Sequence, residues 1–468
     1  MQLNDVHSRL NATTVRRVET PTSEAEVVAC IERARAQGEH IAIAGGRHAM
    51  GGQQLLEDGV VLDMSGMDAV LGLDHERGLL RVEAGIQWPA LLEWLEREQG
   101  DVAGIWSYRQ KQTGADSLSI GGAVSANVHG RGLTLRPFED EVESLVLIDA
   151  DARRHELSRT QDPELFAAVI GGYGLLGVVT EVTLRLAPRQ LLQRVVEVVH
   201  AADLPTLFAD RIADGYEFGD WQYDIDPASP HYLDRGIFSC YRPVADGEAP
   251  EPSKEVSLDR DDWMRLVELV RTDKTLAFEA YRQHYLQTDG QHYWSDTHQN
   301  ATYLDNYAEL LQAGDDDGPL ATLMISELYV PREQLPAFLR AAAGVLRDTG
   351  AEVLYGTVRL IEQDDHTLLA WAREPWACTI FNLLVEHDDA GRERAARAFR
   401  GLIDAALKLG GSYYLTYHRW ATDEQLHAAH PRIGEFVEYK RRQDPDGRFR
   451  SNWFDQIQQQ VLAGATPR

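Results

Sequence analysis

Three stretches set chemically capable side chains among unusually small neighbours. Residues 41–52 read IAIAGGRHAMGG: a short β-branched run stops at two glycines, an Arg47–His48 pair follows, and two more glycines close it. Glycine allows positive φ and close approach of backbone to a ligand, so His48 is presented to whatever this loop grips. Residues 112–132, QTGADSLSIGGAVSANVHGRG, are dense in Gly, Ala and Ser and end on His129 and Gly130. Too few large side chains are present for a core of their own. Such a composition suits backbone laid against a ligand, with N–H groups facing phosphates. The third stretch, GGSYYLTYHRW over 410–420, brings Tyr414, Tyr417 and His418 together. Read as a strand, its period of two puts Tyr414 and His418 on one face and Tyr417 on the other. An imidazole, with an ordinary pKa near ~6.5, suits proton transfer at neutral pH and favours His418 as the base.

Other chemistries are absent from the pattern. GGRHAMGG follows a strand but lacks the GxGxxG spacing of a dinucleotide fold, and no GxxxxGK[ST], GxSxG or HExxH occurs. The three cysteines, Cys30, Cys240 and Cys378, are far apart, so neither a zinc cluster nor a disulfide framework is expected. Cys378 reads as a buried thiol with no neighbouring base to activate it.

The elements that must hold these loops alternate. Ser23 and Glu26 have capping-box spacing before a helix whose natural stop is Gly38. Strands are expected over 41–44, 60–62, 79–84, 143–149 and 177–186, and helices over 88–95 and 163–170. Near Pro188 the character changes: glycine loops vanish and aromatics cluster, from Trp221 and Tyr223 to Tyr303 and Tyr307. Strands over 323–330, 352–360 and 379–385 alternate there with helices over 332–347 and 390–409, and AGDDDG over 313–318 reads as an acidic surface loop. An aromatic-rich α+β unit suits a concave substrate cavity. The fold class is α+β: a ligand-binding unit over 1–189, a substrate or cap unit with an antiparallel sheet over 190–410, and a segment over 411–468 that returns to the first.

With 468 residues the chain is long enough for more than one core. Its 46 Lys+Arg against 74 Asp+Glu leave a formal charge of −28, which repels nucleic acid and anionic membranes. No apolar run is long enough for a membrane span and MQLNDVHSRLNATT has no apolar leader core, so the cytoplasm is the expected location.

Taken together, GGRHAMGG at 45–52, TGADSLSIGGAVSANVHGRG at 113–132, GGYGLLGVVTEVTLRL at 171–186 and DPDGRF at 444–449 resemble the vanillyl-alcohol-oxidase family of flavoproteins, with its PCMH-type FAD-binding domain. The likeness is strongest to the sugar-directed branch, the alditol and aldonolactone oxidases and decaprenylphosphoryl-ribose oxidase. It implies FAD wrapped by Ala44, Gly45, Gly46, Arg47, His48 and Ala49, with His48 bonded covalently to the flavin as a single link. It further implies a cofactor lining of Gly114, Ser119, Gly121, Gly122, Ser125, His129, Gly130, Val179 and Tyr414. The implied reaction is oxidation of a CH–OH group of a polyol, sugar or lactone, with O2 or another electron acceptor. Glu327 in ISELYVP aligns with an acidic residue of the sugar-alcohol oxidases. Arg359 in TVRLIEQDD is placed to polarise a substrate oxygen or to stabilise reduced flavin. These join His418 and Tyr417 as catalytic candidates. Relatives carry a lysine near Tyr417 and this chain does not, which leaves the substrate open. A C=C reductase of the sterol-reductase type and a non-catalytic flavoprotein remain alternatives.

Overall fold

The computed structural model describes residues 1–100, 105–244, 256–300 and 320–464. Tyr303, Tyr307 and the acidic stretch 313–318 lie outside them.

The first helix, Glu24–Gln37, starts where Ser23 accepts a hydrogen bond from the Glu26 backbone N–H and stops at Gly38 in the left-handed conformation. Its buried stripe of Val27, Cys30, Ile31 and Ala34 packs on a three-stranded parallel sheet ordered Arg17–Glu19, Val60–Asp63, Ile41–Ala44. Ile41–Ala44 is therefore an edge strand. Its open side is covered by the end of the chain: Ile41 N–H donates to the Arg448 carbonyl (2.7 Å), and Arg450 N–H donates to Ile41 O (2.9 Å). Asp444 builds the covering turn by accepting from the N–H groups of Arg448 and Phe449.

A second sheet is antiparallel, ordered Arg154–Ser158, Val142–Ile148, Val178–Pro188, Leu79–Glu83, Val70–Asp74, with Trp106–Tyr108 on the far end of the long Val178–Pro188 strand. The small-residue segment lies beside it. Part of that segment, read from sequence as loop, winds into the short helix Ile120–Ala126, capped by Ser119. Alanine and serine permit the helix, and the glycines let it sit tightly: a Cβ on Gly121 would lie 2.9 Å from that of Ala84.

The third sheet has eight antiparallel strands, ordered His292–Trp294, Leu191–His200, Arg235–Pro243, Phe218–Tyr223, Val353–Ile361, Trp376–Glu386, Ala321–Pro331, Ser412–Tyr413. Helices Leu335–Thr349 and Asp389–Leu407 pack against it through buried apolar stripes. The largest buried apolar cluster runs without a break from Leu80 through this sheet to Trp453.

One expectation fails locally. The strand read over Tyr414–His418 does not form: only Ser412 and Tyr413 pair, with Tyr329 and Leu328, and the chain then turns away. Thr416 instead accepts through its carbonyl from the N–H groups of Met50 and Gly51. The glycine loop thus claims the backbone that a longer strand would need.

Candidate functional site

A cavity of about 670 Å³ lies between the glycine loops and one face of the eight-stranded sheet. Its lining includes Ala44, Gly45, Gly46, Arg47, His48 and Ala49 from the first loop, and Gly114, Ser119, Gly121, Gly122, Ser125 and His129 from the second. Val179, Glu327, Arg359, Tyr414 and Tyr417 line it too. The two loops touch each other: a Cβ on Gly45 would fall 2.2 Å from Ser119 Oγ, and one on Gly46 2.3 Å from the Ser117 carbonyl. Arg47 sits at φ +56, a left-handed conformation that is costly for a side-chain residue and is held by the turn around it. Burial lowers the pKa of His48, so its imidazole is neutral at ordinary pH and keeps a nitrogen lone pair.

Strand register explains how distant residues meet. Glu327 pairs with Ile380 and Ile380 with Thr357, while one step along Tyr329 pairs with Cys378 and Cys378 with Arg359. Directly paired residues share a face, and so do residues two apart, so Glu327 and Arg359 project together. Glu327 is 2 % exposed. His129 Nε2 lies 2.7 Å from Glu327 Oε1, and the Tyr329 hydroxyl donates to the same oxygen. Burial alone would raise the Glu327 pKa, but His129, Tyr329 and the charge of Arg359 hold it below the usual carboxylate range. His129 Nδ1 faces the Gly130 carbonyl at 3.0 Å, an acceptor, so that nitrogen carries a hydrogen.

Two expected residues are not in the lining. Gly130 is buried one step back, where a Cβ would meet the Lys111 carbonyl at 2.8 Å. His418 is the larger correction. With no strand there, the alternation that aimed it at the ligand is lost, and its ring stacks on Trp420 with centroids 3.5 Å apart. Burial, with the charges of Arg419 and Arg392, lowers its pKa to about 3. So placed, the ring is not part of the cavity lining. Tyr414 and Tyr417 are both buried phenols whose pKa burial raises well above the ordinary value, so both are neutral. Cys378 is fully buried beside Glu327, and burial likewise raises its thiol well above the ordinary value.

Sequence reasoning missed a second group of lining residues: Arg131, Arg194, Asp220, Gln222, His298 and Tyr355. Three of them, Arg194, Asp220 and Gln222, come from the unanticipated strands between 191 and 243. A signal existed, since the Leu191–His200 segment LLQRVVEVVH alternates in burial over its first six residues. Arg131 lay inside a quoted motif, GRG, but was overshadowed by His129.

The family described as FAD binding domain matches residues 15–158. Residues 15–158 are an FAD-binding domain. Over 191 residues the chain is 32% identical to L-galactono-1,4-lactone dehydrogenase, mitochondrial, of Brassica oleracea, covering 40% of this chain and 30% of that one. It is 33% identical over 174 residues to L-gulono-1,4-lactone dehydrogenase of Mycobacterium tuberculosis, covering 37% and 38%. These matches span about a third of each relative's length. A longer match, 93% of this chain and 94% of the other, is 23% identical to decaprenylphosphoryl-beta-D-ribose oxidase of Mycolicibacterium smegmatis. The lining of the FAD-binding domain fits its cofactor. Gly45, Gly46, Gly114, Gly121 and Gly122 all line the cavity, and so many glycines in one lining allow the close approach of backbone that a pyrophosphate requires. The Thr113 hydroxyl is buried beside this lining without a partner among the described residues. No helix among the described residues is long and apolar enough to cross a membrane.

Proposed function

We propose that this chain oxidises a CH–OH group of a sugar, polyol or lactone-type substrate held between the FAD-binding domain and the eight-stranded sheet. FAD, when bound, supplies the hydride acceptor at its N5. The chain's own residues supply the rest. Glu327, ionised because its partners favour the charged form, takes the hydroxyl proton. His129 and Tyr329 fix the carboxylate by donating to it, so it meets the substrate already oriented. Arg359 offers its guanidinium to a substrate oxygen, and Tyr417 a neutral phenol. His48 is the proposed covalent anchor. The single observation that carries this reading is the buried His129–Glu327 contact, which joins the FAD-binding domain to the sheet at the cavity wall.

The proposed units are 1–189 for FAD, 190–410 for substrate and 411–468 for the return. In support, the antiparallel sheet of the FAD unit ends at Pro188 and the eight-stranded one begins at Leu191. We place the protein in the cytoplasm, in keeping with three free cysteines.

The experiment is anaerobic mixing of the yellow protein with polyols, sugars and aldonolactones, following loss of visible flavin absorbance. At least one class should bleach it, and Glu327→Gln should slow that reduction by about 10²–10⁴-fold with FAD content unchanged. A reduction rate near wild type in Glu327→Gln would move the base elsewhere.

A further inference from the structure

The wall of the cavity beyond Glu327 carries more positive charge than it neutralises. Arg131, Arg194 and Arg359 all line it and are 8 %, 8 % and 6 % exposed. Arg359 makes no hydrogen bond or ion pair among the described residues, and its Nε is buried without a partner. Arg131 gives one nitrogen to His298, through both the ring Nδ1 (3.0 Å) and the carbonyl, but its Nε is also orphaned. Its sole carboxylate neighbour among the described residues is Asp220, at a loose 3.8 Å. Arg194 lies behind them, bonded to the Tyr241 hydroxyl and Thr288 and facing three tyrosine rings, with no carboxylate partner among the described residues.

His298 adds a third donor. Its burial and the charges of Arg131 and Arg194 keep the ring neutral. With Nδ1 accepting from Arg131, the ring hydrogen sits on Nε2, which is buried and unpartnered. Three buried N–H donors therefore have no hydrogen-bond acceptor among the described residues. Interleaved with them are two orphaned acceptors, Asp220 Oδ1 and Gln222 Oε1. Leaving such groups unmatched is costly, and a guanidinium finds its strongest complement in an oxyanion.

From this arrangement we infer that Arg131, Arg359 and His298 bind an anionic oxyacid group, carboxylate or phosphate, carried by a polyhydroxylated substrate whose hydroxyls meet Asp220 and Gln222. This rests on the oxidase reading above and deepens it: the substrate is an acidic sugar derivative rather than a neutral polyol or lactone.

Binding is measured by isothermal titration calorimetry on the FAD-loaded protein, which needs no turnover. The probes are D-galactonate, D-galactose 6-phosphate and neutral galactitol. One of the anions should bind roughly 10–100-fold more tightly than galactitol, and which one does so separates a carboxylate from a phosphate source. Arg131→Gln should erase most of that ratio and Arg131→Lys should recover part of it. If Arg131→Gln does not fold, the wild-type ratio decides alone. Equal affinity for anions and galactitol overturns the inference. So does an Arg131→Gln that keeps the ratio while shifting the flavin potential, which would assign the charge to the cofactor. Preferential anion binding with no flavin reduction by any substrate would sink the oxidase reading and leave the anion site standing.

Discussion

At the scale of single residues, the glycine loop and the catalytic candidates were legible to different degrees. His48 and its glycines announce themselves because a ligand-wrapping loop needs residue types that little else needs. Its neutral imidazole is suited to bond with the flavin, and protein precipitated in acid should remain yellow. His48→Ala should release the colour into the supernatant; a colourless wild-type pellet would exclude the covalent link. The position of His418 departs from the expectation for a physical reason. A histidine's intrinsic pKa made His418 attractive, but burial against Trp420 decides its behaviour, and burial is not written in an eleven-residue motif. Glu327 was recognisable only by likeness to other chains. What equips it for the proposed role, the contacts with His129 and Tyr329, comes from residues 198 and 2 positions away in sequence.

At the scale of elements, the expected strands and helices formed with the exception of Tyr414–His418, whereas the three strands between 191 and 243 and helices such as Arg260–Thr272 and Ile433–Gln443 were not anticipated. Phe218–Tyr223 is buried at every position, so it shows no alternation at all. Such a run gives periodicity nothing to detect. The same strands carry Arg194, Asp220 and Gln222, so missing them hid half of the cavity. The segment after Ser412–Tyr413 illustrates the opposite error: alternation was present, but the backbone was recruited by Met50, Gly51 and Gln53. Tyr414 secures that detour by donating its hydroxyl to the Ala126 carbonyl at 2.6 Å, at the end of the Ile120–Ala126 helix. Tyr414→Phe leaves that buried carbonyl short of a donor and should cost about 1–3 kcal/mol in urea unfolding. It should also speed loss of non-covalent FAD from a His48→Ala background. An unchanged unfolding midpoint would mean that the bond is dispensable.

At the scale of the whole molecule, acidity and buried histidines set the response to pH. His430 is 2 % exposed, packed edge-on against Tyr413, and burial lowers its pKa to about 3. In the unfolded chain its pKa returns to the ordinary value near 6.5. Between those values the unfolded state binds the extra proton, so stability falls as pH drops below about 6.5, by up to about 1.4 kcal/mol per pH unit for this one group. His430→Asn should flatten the decline of the unfolding midpoint between about pH 6 and pH 4; an identical slope would assign acid sensitivity to other groups. The charge of −28 was visible at once in the composition, whereas the cationic wall inside the cavity was not, because a sum over the chain averages away a local reversal of sign.

The meeting of Phe449 with Ile41 couples the last part of the chain to the first ligand loop. A ribosome makes the edge strand early and its cover late. A chain stopped before the DPDGRF turn would display a bare strand edge, open to pairing with other chains, beside a half-built cofactor cradle. A chain truncated before Asp444 should therefore retain less flavin than the full chain, read as visible absorbance per mole of purified protein; equal yellow colour would show the cover to be dispensable for the cradle.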